Sequence, residues 1–209
     1  MFFKIIMADL ITLQQYKDHQ GLQGQTQDLR INTLIDSVSQ LVKNYCGTSI
    51  VDYFSTAKTE YFDVVDATTT RVMLDEGPIV SVTSVAERES QADTYVTLIK
   101  ENSDSSGKYE YIVDDVTDSI VRTNESVDRA FPKGRKAVRV IYKAGYSTTP
   151  LDLRLAVVDL VKYYLKDEAK ERMQIAGATV ENASSSSLSG NTGFPDHIKR
   201  VLDMYKVYK

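Results

Sequence analysis

The chain has 209 residues, enough for one sizeable hydrophobic core and short for two full domains. Apolar residues at 42% and charged residues at 26% are ordinary for a soluble globular protein. Its 25 basic and 29 acidic side chains leave a net charge of −4, which excludes the global basic footprint of a protein that wraps nucleic acid. DNA passing close by without being gripped stays compatible with that balance.

The single cysteine, Cys46, has no partner for an intrachain disulfide and points to a reducing, intracellular origin. Met1-Phe2-Phe3-Lys4-Ile5-Ile6-Met7 has the flavour of a signal peptide, but Asp9 interrupts it and no small-residue cleavage site follows. Met7 is an alternative start. No stretch approaches the ~18 apolar residues of a membrane helix.

In chain order the elements read as helices, then strands, then helices, an α+β pattern. Thr12 caps a short helix to about His19, stopped by Gly21. Thr26 caps a second helix, about 27–46, in which Ile31, Leu34, Ile35, Val38, Leu41, Val42 and Tyr45 recur at helical spacing before Gly47. Residues 48–146 change to the period of strands. Tyr61–Val65, Arg71–Leu74, Ile79–Val85, Tyr95–Ile99, Tyr109–Val113, Ser119–Arg122 and Val138–Tyr142 are short, β-rich and separated by polar turns such as Ser103–Gly107. They predict an antiparallel sheet or sandwich.

A long third helix, 150–173, starts with Thr149 as cap, Pro150 at the first helical position and Asp152 answering the cap. Leu153, Ala156, Val157, Leu160, Val161, Tyr164 and Leu165 form one apolar stripe. Leu151, Leu155 and Val158 begin a second, so this helix is buried either in the fold or against a neighbouring subunit. The expected organisation is one domain over 1–176, with helices in 9–46 and 150–173 forming a core beside the β-region 48–146. A flexible linker spans 177–193, and a tethered C-terminal helix spans 194–209. That last helix carries Phe194, Ile198, Val201, Leu202 and Tyr205 on one face, with Lys199 and Arg200 among its charges. It suits helix-in-groove docking on a partner, and the alternative is that it folds back on its own core. If it docks, deleting 194–209 leaves the thermal unfolding of the core unchanged.

No constellation of residues points to an enzyme. His19 and His197 sit near opposite ends of the chain and in no metal-ligand spacing. A Cys46–His19 dyad is conceivable, but buried cysteines mostly act as small hydrophobes. Asp114 and Asp115 with Asp118 suggest a divalent cation. Strand alternation sends the first two to opposite faces, which favours a solvated acidic edge. No catalytic residue, cofactor or metal site is therefore expected. Arg135, Lys136, Arg139 and Lys143 gather near one strand without the interleaved aromatics of single-strand binders, so a solvated face is the simpler reading. The stretch 101–128 holds eight acidic residues against Lys108 and Arg122, a soluble surface or, in a ring, a wall from which DNA is repelled.

The sequence resembles the head–tail connector (adaptor) family of long-tailed bacteriophages. The resemblance is carried by Met7–Leu13, by Leu41–Gly47 closing the second helix, and by Pro78–Val85. Val138–Tyr146 followed by Pro150–Arg154 carries most of it, and Phe194–Ile198 and Leu202–Tyr205 close it. It implies a structural protein that forms a homo-oligomeric, twelvefold ring below the portal protein. Such a ring extends the DNA channel and presents a surface to the stopper or tail. Genomic DNA then passes through without sequence-specific binding, and no membrane is involved. The place is the virion neck, assembled in the host bacterial cytoplasm. The isolated chain is expected as a monomer or mixed oligomers that order on the portal, with Leu151, Leu155 and Val158 at the subunit interface. The rival readings are a stopper or tail terminator, and a small intracellular enzyme with an unconventional site.

Overall fold

The computed structural model describes residues 8–101, 107–125, 127–166, 172–175, 178–181 and 194–207. The class is α+β, as the sequence indicates, with antiparallel pairing in every sheet. The chain divides into two compact units, Met1–Thr48 with Thr148–Lys209, and Ser49–Ser147.

In the helical unit, α1 (Leu13–Gln20) opens with a capping box. Thr12 Oγ1 accepts from the Gln15 N–H at 3.2 Å, and the Gln15 side chain accepts from the Thr12 N–H at 2.9 Å. Helix α2 (Asp28–Cys46) buries Ile31, Ile35, Val38, Val42 and Cys46 on one face and ends at Gly47 in the left-handed region. Thr26 does not cap it. Gln27 holds the cap position without a side-chain bond, and Asp28 in the first turn pairs with Lys17 Nζ at 2.9 Å. In helix α3 (Leu151–Leu165) Pro150 holds the cap position rather than the first helical one and has no polar side-chain atom to bond with, while Thr149, one residue earlier, donates from Oγ1 to the Leu10 carbonyl at 2.6 Å. The same N-terminal segment is fastened to α2, where Leu10 N–H donates to Ser39 Oγ at 3.0 Å and Lys43 Nζ to the Ala8 carbonyl at 2.6 Å.

Helix α3 stops at Leu165, short of the 173 that apolar spacing suggests. Arg172–Ile175 instead forms a strand registered against Ala178–Glu181 (β9 and β10 in chain order), so the start of the expected linker is paired backbone. The rest of the expected linker, 182–193, and the tip of the 103–107 turn lie outside the described residues. The last helix is α4 (Asp196–Met204).

In the β unit, β1 (Lys58–Val64), β3 (Ile79–Glu87), β4 (Val96–Thr97) and β8 (Gly134–Ala144) form one sheet in the order β1-β8-β3-β4. A second runs β2-β6-β5, from Arg71–Met73, Ser119–Asn124 and Tyr111–Asp114, with β7 (Val127–Asp128) paired to β6. One apolar cluster draws on both, with Val64, Val85, Val138, Val140 and Tyr142 from the first and Val72, Tyr111 and Ile120 from the second. Arg122 on β6 is 1% exposed, and its Nε and Nη2 donate to the two oxygens of Glu87 on β3 at 3.0 and 2.9 Å. Its Nη1 donates to the Glu110 and Thr123 carbonyls at 2.7 and 2.6 Å. A second buried polar knot holds Glu76, which accepts from Ser49 N–H and Oγ at 2.8 and 2.9 Å and from Lys58 Nζ at 3.3 Å.

The turn after β8 needs a glycine. Gly145 has φ +95°, and a Cβ there would lie 2.3 Å from the Ile50 carbonyl oxygen. Gly145 N–H donates to the Pro78 carbonyl and Tyr146 N–H to that of Ile50, both at 2.8 Å, so neither strand of backbone is free to withdraw.

Two outcomes follow from these contacts. Gly145→Ala is expected to lose ~2–3 kcal/mol in urea unfolding, through left-handed strain together with the backbone collision. Arg122→Met is expected to lose ~3–5 kcal/mol because it strands Glu87, and adding Glu87→Leu should restore much of that loss. A double variant no more stable than the single one would show that the ion pair is not the source.

Candidate assembly surfaces

Helix α3 positions the first surface. Leu153, Val157, Leu160 and Val161 are wholly buried and Ala156 nearly so, so the first apolar stripe belongs to the helical core. The second stripe, at spacings of four and three, projects from an adjoining face. Leu151 is 72% exposed and Leu155 49%, while Val158 is buried. With Gln15, Asp18 and His19 of α1 and with Arg154, these three line an open groove of about 570 Å³. The groove has an apolar floor and a rim that offers one carboxylate, one guanidinium and one imidazole. The three interface residues expected from the sequence thus come together, two as accessible surface and one as floor.

The C-terminal helix is arranged differently. Phe194, Ile198 and Leu202 are 2%, 1% and 0% exposed, so most of the stripe is already covered within the helical unit. Phe194 meets Tyr45 edge to face at 5.1 Å between centroids, and Tyr45 Oη donates to Asp203 at 2.5 Å. Tyr205 Oη donates to Asp152 Oδ1 on α3 at 2.6 Å, which holds that carboxyl below its ordinary range. Cys46 Sγ lies 3.6 Å from the Leu202 carbonyl, and Val207 N–H donates to the Cys46 carbonyl at 2.8 Å. Val201 and Tyr205 are half-buried, Lys199 is partly covered and Arg200 is exposed.

The residues weighed for chemistry are engaged elsewhere. Burial pushes the Cys46 thiol up to about 12, with Asp203 adding to the effect, whereas His19 is exposed and its ring meets Gln20 Nε2. Asp114 accepts from Thr117 Oγ1 and from Arg71 Nη1, both at 2.8 Å, and lies below its ordinary pKa through those bonds. Asp118 accepts from Ile79 N–H at 2.9 Å, so the trio has no shared focus. Among the described residues no cluster of three or more His, Cys, Asp or Glu is placed to hold a metal.

Sequence reasoning missed the aromatics around the basic strand. The register of β1 against β8 puts Tyr61 opposite Arg139, and Tyr95 lies 6.2 Å from Tyr61 by ring centroids. Their separation along the chain hides both from any local pattern. Only strand pairing brings them beside Arg139 and Lys136.

Residues 9–208 match the model of a family described as head completion protein. Three solved assemblies contain chains of similar fold. A chain in the neck of an empty gene transfer agent particle, computed with C6 symmetry, is 14% identical with TM-score 0.55, covering 96% of this chain and 91% of that one. One in the native gene transfer agent virion is 14% identical with TM-score 0.56 at the same coverages of 96% and 91%. One in the native neck computed with C12 symmetry is 12% identical with TM-score 0.53, covering 97% and 95%. No curated protein matches the chain.

The covered stripe on α4 reverses the stability expectation for the tail. Deleting 194–209 opens the surface around Tyr45 and Cys46 and removes three buried side chains worth ~1.5–3 kcal/mol each. A steep fall in Tm by calorimetry is the expected result. An unchanged Tm would mean that α4 contributes little to the unit it covers.

Proposed function

The chain belongs to the head completion protein family, and on that premise we propose that it is the head–tail connector (adaptor) subunit of a tailed phage or a phage-derived particle. It forms a ring below the portal, twelvefold in the particle, that continues the DNA channel and offers a seat to the stopper or tail. The observation that carries the ring is the open second stripe of α3. Two large apolar side chains, Leu151 and Leu155, stay in water beside a groove whose floor is Val158. Exposed apolar area rimmed by charge is the usual mark of a protein contact. The symmetric necks in which similar folds occur support the same reading.

The role is structural. A thiol with a pKa of about 12 is protonated at neutral pH, and Cys46 is buried, so it offers no nucleophile. DNA passes through the ring without base-specific contacts. No described helix is long and apolar enough to cross a membrane. Portal docking falls to the C-terminal segment, through what α4 leaves outward, Lys199 and Arg200, with the half-buried Val201 and Tyr205. Phe194, Ile198 and Leu202 keep that segment seated and contribute indirectly.

Mass measurement with and without purified portal tests the ring. Leu155→Glu, at a half-exposed position, should remain a folded monomer and fail to form rings on the portal. Rings formed by that variant would remove the α3 groove from the subunit interface.

A further inference from the structure

The outer face of the first β sheet gathers three cations around two tyrosines, with a fourth adjacent in sequence. Arg88 and Arg139 carry their guanidinium carbons 4.7 and 4.6 Å from the Tyr95 ring centroid, and Lys136 Nζ lies 5.6 Å from that of Tyr61. Tyr95 Oη and Arg88 Nε both donate to the Lys136 carbonyl, at 2.6 and 3.1 Å, which fixes the cluster. Arg135 stands exposed next to it. Among the described residues none of the four makes an ion pair. Asp63 is engaged with the Lys136 N–H at 2.7 Å, and Glu89 is exposed beside Arg88. Nε of Arg139 is buried without a hydrogen-bond partner, so its desolvation is left uncompensated. In a chain of net charge −4, four cations here stand beside two carboxylates, Asp63 and Glu89, so the corner keeps an excess of positive charge.

We propose that this cluster is a second contact between copies of the chain, and that it receives the β5–β6 turn of a neighbouring subunit. That turn has the complementary chemistry. Asp115 is exposed and without a partner among the described residues, and Val116 beside it is 93% exposed. The turn is already shaped, since Asp114 Oδ1 accepts from the Val116 and Thr117 N–H groups at 3.1 and 3.3 Å, and docking it orders little further chain. A ring requires heterologous contacts, one patch meeting a different patch, and this β unit carries both halves. Tyr61, 49% exposed, supplies apolar area for Val116 that a phosphate backbone would not use. Two guanidiniums over Tyr95 occupy the ring that would otherwise stack a nucleic-acid base. The proposal rests on the ring reading and names a contact within it.

Cysteine trapping tests it. Lys136→Cys and Val116→Cys chains are mixed and oxidised mildly, and Cys46 stays out of the reaction because it is fully buried. Mixed dimers should form roughly fivefold faster than like pairs, as expected of one exposed carboxylate meeting a cationic patch. That preference should vanish in about 0.5 M salt, where screening is nearly complete. Arg139→Glu in the first chain should abolish it, and Asp115→Arg in the second should restore it. Like and mixed pairs forming at equal rates overturn the contact. If a labelled DNA duplex then binds wild type but not Arg135→Glu/Arg139→Glu, the occupant is DNA. Equal rates in a protein that still forms rings on portal, blocked by Leu155→Glu, sink this contact while leaving the ring intact.

Discussion

An arginine side chain taken out of water is expensive unless its whole donor fork is satisfied, and the β unit does this at Arg122. The bidentate bond to Glu87 ties β6 of one sheet to β3 of the other, two backbone carbonyls take the Nη1 donors, and the Glu110 carboxylate lies 3.6 Å from Nη2. A leucine at either position would fill the space without fixing how the two sheets register. A fork of donors accepts one arrangement of its partners. The apolar cluster shared by the sheets, from Val85 to Ile120, is then assembled around a fixed frame. Surface clusters built on these strands, including the tyrosines and arginines of the outer face, inherit their geometry from that frame.

The helical unit solves a different problem. Helices α2 and α3 lie far apart in sequence, and the short segment Ala8–Thr12 links them. It takes Lys43 and Ser39 from α2 and Thr149 from the entrance of α3, while Leu10 and Ile11 are buried. Lys43 is itself nearly inaccessible, which is tolerable because its ammonium meets a carbonyl. Closing this unit with α4 uses up the apolar stripe of the tail. Leu151 and Leu155 of the second stripe of α3 stay open, and the division between covered and open apolar area bears on the proposed ring contact more than hydrophobicity alone.

Local signals were legible where a single residue type has one physical use. Thr12 with Gln15, Gly47 after α2, and Gly145 in the turn after β8 all stand where their chemistry demands, and the first stripe of α3 is core as its spacing says. Signals failed where a residue had two uses. Thr149 is a good cap by type, yet its hydroxyl bonds to Leu10 across 139 positions of sequence. Arg122 read as one of two bases in an acidic stretch and is instead the most deeply buried cation among the described residues. The apolar face of α4 fits equally a partner's groove or its own unit, and amphipathicity cannot choose between them. The second stripe of α3, Leu151, Leu155 and Val158, was legible as a stripe, but its exposure depends on what α1 and α4 leave uncovered.

The magnitudes also bear on how the proposed ring would form. Burying Leu151 and Leu155 contributes ~1.5–3 kcal/mol each, against ~4–15 kcal/mol of lost translational and rotational freedom on association. One groove per interface therefore holds two free subunits weakly. An exposed charge contact on the β unit adds on the order of 1 kcal/mol and fades with salt. Neither figure supports a stable ring from dilute monomers. A template changes the arithmetic. Once each subunit is tethered to a symmetric partner, its neighbours stand at an effective concentration of about millimolar, and weak lateral contacts suffice to close the circle. A subunit whose lateral surfaces are individually weak stays dispersed until the template is present, which suits a component that must add to a particle in order.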